Sequence, residues 1–204
     1  MKLLPIFNGD LAPLIFSIII AYLLGSIPFG LIWANIYKLG NLKDIGSGNI
    51  GATNVLRTGN KIAAFLTLIC DAGKGLVAVS CAEMLTDEFT VQAVCLFVLI
   101  GHCFPIWLQF KGGKGVATYI GIAISINFTV GIITCMIWLL SAVILRMSSL
   151  SALISAIFGP FLVYFLLKTS FIGMSILLTR MIFFTHRQNI RRILNGTETR
   201  ISVK

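Results

Sequence analysis

Long apolar runs separated by short polar segments dominate the sequence. Runs with few or no charges cover residues 11–37, 62–82, 89–110, 116–145, 147–167 and 169–185. A helix needs about 20 mostly apolar residues to cross a lipid bilayer, and all of these runs but one have roughly the length of a single crossing. The pattern predicts an all-α integral membrane protein in which residues 1–204 form a single membrane domain.

The exception is the run at residues 116–145, which contains no charged residue. As one straight helix it would be about 45 Å long, whereas the hydrocarbon core of a bilayer is about 30 Å thick. This run therefore predicts either one long tilted helix or two shorter ones with a break near Asn127. The first choice gives six transmembrane helices and the second gives seven.

The distribution of charge favours seven, because cytoplasmic loops of membrane proteins are enriched in Lys and Arg. With the N-terminus outside and the C-terminus cytoplasmic, seven crossings place the following basic residues on the cytoplasmic side: Lys38, Lys43, Arg57, Lys61, Lys111, Lys114, Arg146, Arg187, Arg191, Arg192, Arg200 and Lys204. The outer side keeps Lys2, Lys168, Asp87 and Glu88. An undivided run would move Arg146 and the basic tail to the other face, against this bias.

Composition excludes several other classes of protein. Hydrophobic residues make up 57% of the chain and charged residues 11%, against about 25% charged in a soluble domain, so neither a soluble nor a disordered chain is expected. The five cysteines are odd in number and form no C-x-x-C pair, which argues against a disulfide-stapled module and a metal site. The net charge of +9 is spread between apolar runs, which fits anionic lipid or a phosphate-bearing substrate and does not favour nucleic acid.

The first polar segment with candidate chemistry covers residues 46–59. It concentrates glycine, hydroxyl and amide residues next to apolar runs. Ser47, Asn49 and Asn54 are candidates to bind oxygen atoms or hydroxyl groups of a substrate, and Arg57 can hold a phosphate with two parallel hydrogen bonds. The alternative is a flexible polar loop without a ligand.

The second segment is a turn made of Gly112, Gly113, Lys114 and Gly115 at the start of a predicted helix. Successive backbone amides in such a turn can form a concave site for an anion, and Lys114 adds a full charge. It lacks the spacing of a nucleotide-binding Walker A loop. A simple turn with a lysine that contacts lipid is the alternative, and the preceding His102 has either a packing role or a role in the site.

The third segment follows the last apolar run. His186 and Asn189 are three residues apart, so the sequence predicts that they share the inward face of a helix, with Glu198 pairing with a nearby arginine. The alternative is a basic amphipathic tail that rests on lipid. Ser149, at the start of another predicted helix, is a candidate for a helix cap or for the same pocket. Within an apolar run, Asp71 and Lys74 are spaced to neutralise each other.

Together and in this order, these segments resemble the bacterial acyl-phosphate:glycerol-3-phosphate acyltransferase family of small membrane enzymes. The resemblance covers nearly the whole chain and is carried by residues 25–30, 47–54, 71–75, 101–102, 111–118 and 186–198. It implies that Ser47, Arg57, His186 and Asn189 are needed for activity and that Glu198 is structural. It also implies that residues 112–115 bind the phosphate of glycerol 3-phosphate.

The reaction that the resemblance implies moves a fatty acyl group from acyl phosphate to the 1-hydroxyl of glycerol 3-phosphate. The products are lysophosphatidic acid and inorganic phosphate, and this is the first acylation of phospholipid synthesis. No cofactor is implied. The resemblance also implies that a separate soluble enzyme makes the acyl phosphate, and that the active site faces the cytoplasm at the bacterial inner membrane, in contact with membrane lipid.

Two points stay open from the sequence. Because an acyl phosphate is already activated, Ser47 is expected to be a ligand and not a nucleophile, and the hydroxyl proton passes either to His186 or to a substrate phosphate oxygen. A membrane transporter of a small organic phosphate would also use a basic pocket among helices, although no internal repeat is evident. A non-catalytic membrane subunit is a further alternative.

Overall fold

The computed structural model describes residue 5, residues 9–167 and residues 170–201, and in these ranges every regular element is helical. The α-helices are α1 (Leu11–Gly25), α2 (Phe29–Ile36), α3 (Ala52–Leu56), α4 (Lys61–Leu85), α5 (Glu88–Cys103), α6 (Val116–Ile126), α7 (Phe128–Leu145), α8 (Ser148–Leu167), α9 (Phe171–Thr185) and α10 (Arg187–Leu194). Short 3-10 turns form at Leu42–Asp44 and Ile106–Leu108. The all-α prediction is confirmed for the described residues.

Within these ranges, five segments are long and apolar enough to cross a membrane: Leu11–Ile36, Lys61–Leu85, Glu88–Leu108, Phe128–Leu145 and Ser148–Leu167. Helices α6 and α9 are apolar but shorter. The predicted split of the long run is confirmed, since α6 ends at Ile126 and α7 begins at Phe128. Asn127 lies between them, and its side-chain oxygen accepts a hydrogen bond from the Val130 amide at 3.1 Å, which caps α7.

The sequence predicted one continuous helix for the first apolar run. The structure differs, because this run breaks between α1 and α2. Pro28 lacks an amide hydrogen and disfavours helical backbone at Ile27. Side chains of other segments donate hydrogen bonds to the carbonyl groups freed by the break. Trp107 Nε1 donates to the Ser26 carbonyl oxygen, and Lys74 Nζ donates to the Ile27 carbonyl oxygen, each at 2.9 Å. Such compensation is required where a helix breaks inside a membrane.

Small residues make the closest helix contacts inside the bundle, while many large apolar side chains face outward. A Cβ atom on Gly25 would lie 2.2 Å from the Val98 carbonyl oxygen, and one on Gly121 would lie 1.9 Å from the Ala72 oxygen. The α1–α5 and α4–α6 pairs therefore touch backbone to backbone. Phe16 and Phe165 are 68% and 70% exposed. This arrangement is typical of membrane helices, whose association depends on close packing because lipid already accommodates large apolar groups.

The functional segments predicted from the sequence lie at one end of the bundle, which we call the site end. It is formed by residues 37–60, 104–115, 146–149 and 186–201, and contacts such as Thr53–Ser148 and Arg57–Thr199 connect these segments. At the opposite end, the Ser170 hydroxyl binds Glu88. Lys2, Lys168, Thr169 and Lys204, which belong to the predicted topology, lie outside the described residues.

Candidate active site

The first segment is organised around the buried amide of Asn54. Its Oδ1 atom accepts hydrogen bonds from the Ser47 backbone N–H at 3.0 Å and the Ser47 hydroxyl at 3.3 Å, and its Nδ2 donates to the Leu42 carbonyl at 2.9 Å. The Asn54 side chain is thus used inside the protein and fixes the position of Ser47. Asn49 also bonds within this segment, where its Oδ1 accepts from the Ile50 N–H.

Arg57 extends from this segment toward the C-terminal one. Its Nη1 is 3.4 Å from Asn54 Oδ1, and its Nη2 donates to the Thr199 hydroxyl at 2.9 Å. A side chain on Gly46 would collide with it, since a Cβ there would lie 2.5 Å from Arg57 Cδ. Burial lowers the pKa of Arg57, but a guanidinium stays charged at physiological pH.

The glycine turn is attached to the end of α5. The Gly113 N–H donates to the His102 carbonyl and the Gly112 N–H to the Cys103 carbonyl, each at 3.0 Å. These two amides are therefore occupied. The prediction that residues 112–115 all offer amides to an anion is wrong for Gly112 and Gly113. The first hydrogen bond of α6 runs from the Tyr119 N–H to the Gly115 carbonyl, so the amides of the first helical turn are outside the helical ladder.

Lys114 supplies a cation next to these amides. Burial lowers its pKa to about 8; Glu198 acts against this change, and Arg192 and Arg57 add to it. Lys114 is thus close enough to Glu198, Arg192 and Arg57 for their charges to act on its pKa. The Lys114 carbonyl accepts a hydrogen bond from the Thr185 hydroxyl at 3.0 Å, which connects the glycine turn to the end of α9.

His186 and Asn189 are both 2% exposed and point inward. They do not share one continuous helix, because α9 ends at Thr185 and α10 begins at Arg187, with His186 at the junction. His186 Nδ1 is 2.8 Å from the Ile182 carbonyl. A carbonyl only accepts hydrogen bonds, so in the neutral ring Nδ1 carries the hydrogen and Nε2 has the free lone pair. Burial, reinforced by Lys114, lowers the His186 pKa to about 4.

The carboxylate of Glu198 joins the remaining parts of the site. It accepts hydrogen bonds from the Ser149 hydroxyl, from Asn189 Nδ2 and from Arg192 Nε, each at 2.7 Å. The predicted pairing of Glu198 with an arginine is confirmed, and the partner is Arg192. Burial acts to raise the pKa of Glu198, but these three hydrogen bonds hold it below its usual value.

Within the site end, the side chains of Arg57, Lys114 and Arg192 act electrostatically on one group that also contains the Glu198 carboxylate and the neutral His186 imidazole. The excess of positive charge suits a dianionic group such as a phosphate. One buried atom also lacks a partner within the described residues: the Oδ1 of Asn189, which can only accept a hydrogen bond. The arrangement can hold phosphate groups and bind a hydroxyl beside them.

Arg192 and Thr199 also belong to the site, but the sequence did not identify them as site residues. Arg192 is three residues after Asn189, so the helical period that placed His186 and Asn189 on one face also places Arg192 there. Thr199 follows Glu198 in an irregular segment, where no periodicity predicts its contact with Arg57.

These features define a helical membrane protein with a cationic site at one end of the bundle, and comparison with known proteins identifies its family. The family model for glycerol-3-phosphate acyltransferase matches residues 15–196. Curated relatives with the name glycerol-3-phosphate acyltransferase include one from Roseobacter denitrificans, 52% identical over 91% of this chain and 93% of its own, and one from Jannaschia sp., 46% identical over 98% of each chain.

Two solved structures share the fold. Both are crystal structures of PlsY (YgiH), an integral membrane glycerol 3-phosphate acyltransferase. The glycerol 3-phosphate form has a TM-score of 0.88 and 33% identity, covering 93% of this chain and 96% of the other. The lysophosphatidic acid form has a TM-score of 0.85 and 31% identity, covering 94% and 96%. The chain belongs to the glycerol-3-phosphate acyltransferase family, whose members are integral membrane enzymes of phospholipid biosynthesis.

Proposed function

We propose that this protein transfers a fatty acyl group from acyl phosphate to the 1-hydroxyl of glycerol 3-phosphate, releasing lysophosphatidic acid and inorganic phosphate. The observation that carries the proposal is the convergence of three distant segments at the site end, where Arg57 contacts the C-terminal segment and the Lys114 carbonyl contacts the end of α9. Both reactants carry a phosphate, and several cations gathered at one end of the bundle can orient two such groups.

We assign the phosphate of glycerol 3-phosphate to Lys114 and the amides that begin α6, and the donor phosphate to Arg57, with the Ser47 hydroxyl as a ligand. Asn189 Oδ1, which lacks a partner within the described residues, accepts a hydrogen bond from a hydroxyl of the glycerol. Ser149 and Asn54 act by positioning Glu198 and Ser47. The acyl chain lies between helices that face the lipid. A relative crystallised with lysophosphatidic acid supports this product.

In the reaction, the 1-hydroxyl oxygen attacks the acyl carbonyl carbon, and the bond from that carbon to the phosphate oxygen breaks. We infer that a substrate phosphate oxygen accepts the hydroxyl proton. Burial and Lys114 lower the pKa of His186 to about 4, so its imidazole is a weak base, whereas a phosphate monoester in water has a second pKa of about 6. His186 then acts by contact with the substrate from its Nε2 atom. No cofactor or metal takes part in this scheme.

We propose seven crossings within a single membrane domain, with the N-terminal end of α1 outside and α10 on the cytoplasmic side of the bacterial inner membrane. The reversal at Asn127 supports this count, because it brings the end of α7 at Arg146 back to the end where α6 begins. Helix α6 is about 16 Å long, but most of its central residues are buried against other helices, so its ends do not have to meet lipid headgroups.

The donor also implies a functional link to another protein. Acyl phosphate is a reactive mixed anhydride, so we propose that a soluble acyl-phosphate-forming enzyme supplies it at the membrane surface. Membership in an acyltransferase family favours this enzymatic role over the transport of a small organic phosphate.

The proposal is tested with purified protein in detergent, given acyl phosphate and labelled glycerol 3-phosphate. We expect lysophosphatidic acid and inorganic phosphate to form in equal amounts, with no product when acyl-CoA replaces acyl phosphate. Arg57→Gln and Lys114→Gln remove a charge without adding bulk, and each should lower kcat/KM by about a hundredfold or more. Activity with acyl-CoA alone would refute the assigned donor. Uptake of glycerol 3-phosphate into sealed vesicles without acylation would instead support transport.

A further inference from the structure

A buried polar cluster lies directly behind the glycine turn and takes no part in the chemistry described above. It consists of Asp71 and Lys74 on α4 and His102 on α5, which are 3%, 4% and 5% exposed. Lys74 Nζ is 2.9 Å from Asp71 Oδ1, and His102 Nδ1 is 3.5 Å from the same oxygen. Ionisable side chains inside a membrane protein are costly to bury, so such a group requires a compensating role.

Two hydrogen bonds join the residues of the cluster to neighbouring segments. Lys74 donates to the Ile27 carbonyl at the break between α1 and α2. The Thr118 hydroxyl, from the first turn of α6, donates to the Asp71 carbonyl at 2.9 Å. The second bond is made to the main chain of Asp71, so the start of α6 is attached to α4 at the residue that carries the cluster's carboxylate.

His102 is the member that touches the glycine turn. Its carbonyl accepts the Gly113 N–H at 3.0 Å, and its ring edge packs against the same residue: a Cβ on Gly113 would lie 2.1 Å from His102 Nε2. Gly113 directly precedes Lys114. The His102 ring, whose Nδ1 lies 3.5 Å from Asp71 Oδ1, therefore limits how closely the turn approaches α5.

We infer that Asp71, Lys74 and His102 are positioning residues that hold the glycine turn, and with it Lys114 and the first amides of α6, in the geometry that binds the phosphate of glycerol 3-phosphate. This inference rests on the proposed role of the turn as the phosphate site. The three residues do not touch the substrate. Their effect is on the affinity for glycerol 3-phosphate, and the acyl donor, assigned to Arg57 and Ser47, is bound independently of them.

The test compares steady-state constants for both substrates in purified variants. His102→Ala removes the ring. The double variant Asp71→Asn with Lys74→Met removes both charges together, because removing one alone leaves an uncompensated buried charge that can prevent folding. We expect each to raise the KM for glycerol 3-phosphate about tenfold or more, with kcat and the KM for acyl phosphate within about twofold of the wild type.

Ser80→Ala is the matched control, because Ser80 also lies on α4 and contacts α6 through Ser125 at 2.8 Å, but further along the helix from the turn. It should leave both KM values unchanged. Lys114→Gln reports on the phosphate site itself. If it raises the KM for glycerol 3-phosphate while the cluster variants do not, the positioning role is refuted and the phosphate site stands. If Lys114→Gln has no effect either, the proposed phosphate site fails.

A second measurement separates positioning from a general loss of structure. Gly113→Ala introduces the collision with the His102 ring and should raise the KM for glycerol 3-phosphate about tenfold. In the His102→Ala background the ring is gone, so the same change should have an effect several-fold smaller. Independent, multiplicative effects of the two substitutions would overturn the inference. So would a parallel fall of kcat, both affinities and melting temperature in the cluster variants.

Discussion

Lys114 changes its charge close to physiological pH, because burial lowers its pKa to about 8. The protonated ammonium attracts a phosphate and the neutral amine does not, so binding weakens as the pH rises through this value. We expect kcat/KM for glycerol 3-phosphate, measured at saturating acyl phosphate, to fall about tenfold for each pH unit above about 8. Initial rates of lysophosphatidic acid formation between neutral and alkaline pH provide the measurement.

The matched variant is Lys114→Arg, which keeps the positive charge throughout this range because a guanidinium does not lose its proton. In this variant the fall of kcat/KM at alkaline pH should disappear, even if the rate at neutral pH is lower than in the wild type. If kcat/KM of Lys114→Arg still falls at alkaline pH as in the wild type, a group other than Lys114, such as the substrate, loses the proton.

His186 tests the proposed path of the proton. With a pKa of about 4 it is a weaker base than a substrate phosphate, so His186→Ala should lower kcat by less than about a hundredfold, below the usual effect of removing a general base. The variant should also keep the pH dependence of the wild type. Complete loss of turnover, with binding of glycerol 3-phosphate intact, would identify His186 as the base. His186→Asn, which retains a polar group at the site, is the companion variant.

At the residue scale, the sequence could predict which polar residues belong together but not how each is used. Ser47, Arg57, Lys114 and Asn189 stand out because polar and charged groups are rare in this chain, and the structure brings them to one end. The sequence could not show that Asn54 and Asn189, which have the same side chain, are used in different ways. The amide of Asn54 is consumed by contacts with its own segment, whereas Asn189 keeps an oxygen without a partner in the described structure.

At the scale of helices, close packing between α4 and α6 sets where the glycine turn begins. A Cβ on Gly121 of α6 would lie 1.9 Å from the Ala72 carbonyl oxygen, which is backbone and cannot rotate away. Gly121→Ala should therefore push the two helices apart and cost about 1–3 kcal/mol of stability. Thermal unfolding of the detergent-solubilised protein should show a lower melting temperature, accompanied by a higher KM for glycerol 3-phosphate.

Gly73→Ala provides the control on the neighbouring helix. A Cβ on Gly73 meets no atom within 4 Å, and alanine favours helix over glycine by up to about 1 kcal/mol. This variant should melt at the same temperature as the wild type or slightly higher. Equal destabilisation by both substitutions would show that the α4–α6 contact is not the limiting feature.

The two helix breaks show how far hydrophobic pattern alone predicts these elements. The break at Asn127 could be predicted because the apolar run is too long for one crossing. The break between α1 and α2 was not predicted, although a helix over residues 11–37 would be about 40 Å long, because division of this run does not follow from the distribution of charge. Its stability comes from Trp107 and Lys74, which bond the freed carbonyls from distant positions in the chain.

At the scale of the whole molecule, the positive charge is concentrated at one end of the bundle, which also holds the predicted site. Lys111 and Arg200 lie in two of the segments that form this end, whereas Asp10 lies at the start of α1, near the other end. An undivided run at residues 116–145 would place Lys111 and Arg200 on opposite sides of the membrane. Lys111 and Arg200 can therefore lie at the same end only because the chain reverses at Asn127. Labelling of the protein in membranes can test this arrangement.

Single cysteines at these positions test the arrangement in a background whose five native cysteines are replaced and whose activity is retained. Lys111→Cys and Arg200→Cys should react with a membrane-impermeant maleimide only in inverted vesicles, because Lys and Arg collect on the cytoplasmic side. Asp10→Cys should react only in intact spheroplasts, and the cysteine-free background gives the blank. Reaction of Lys111→Cys and Arg200→Cys from opposite sides would contradict a single site, since the glycine turn and the C-terminal segment could then not meet the same substrates.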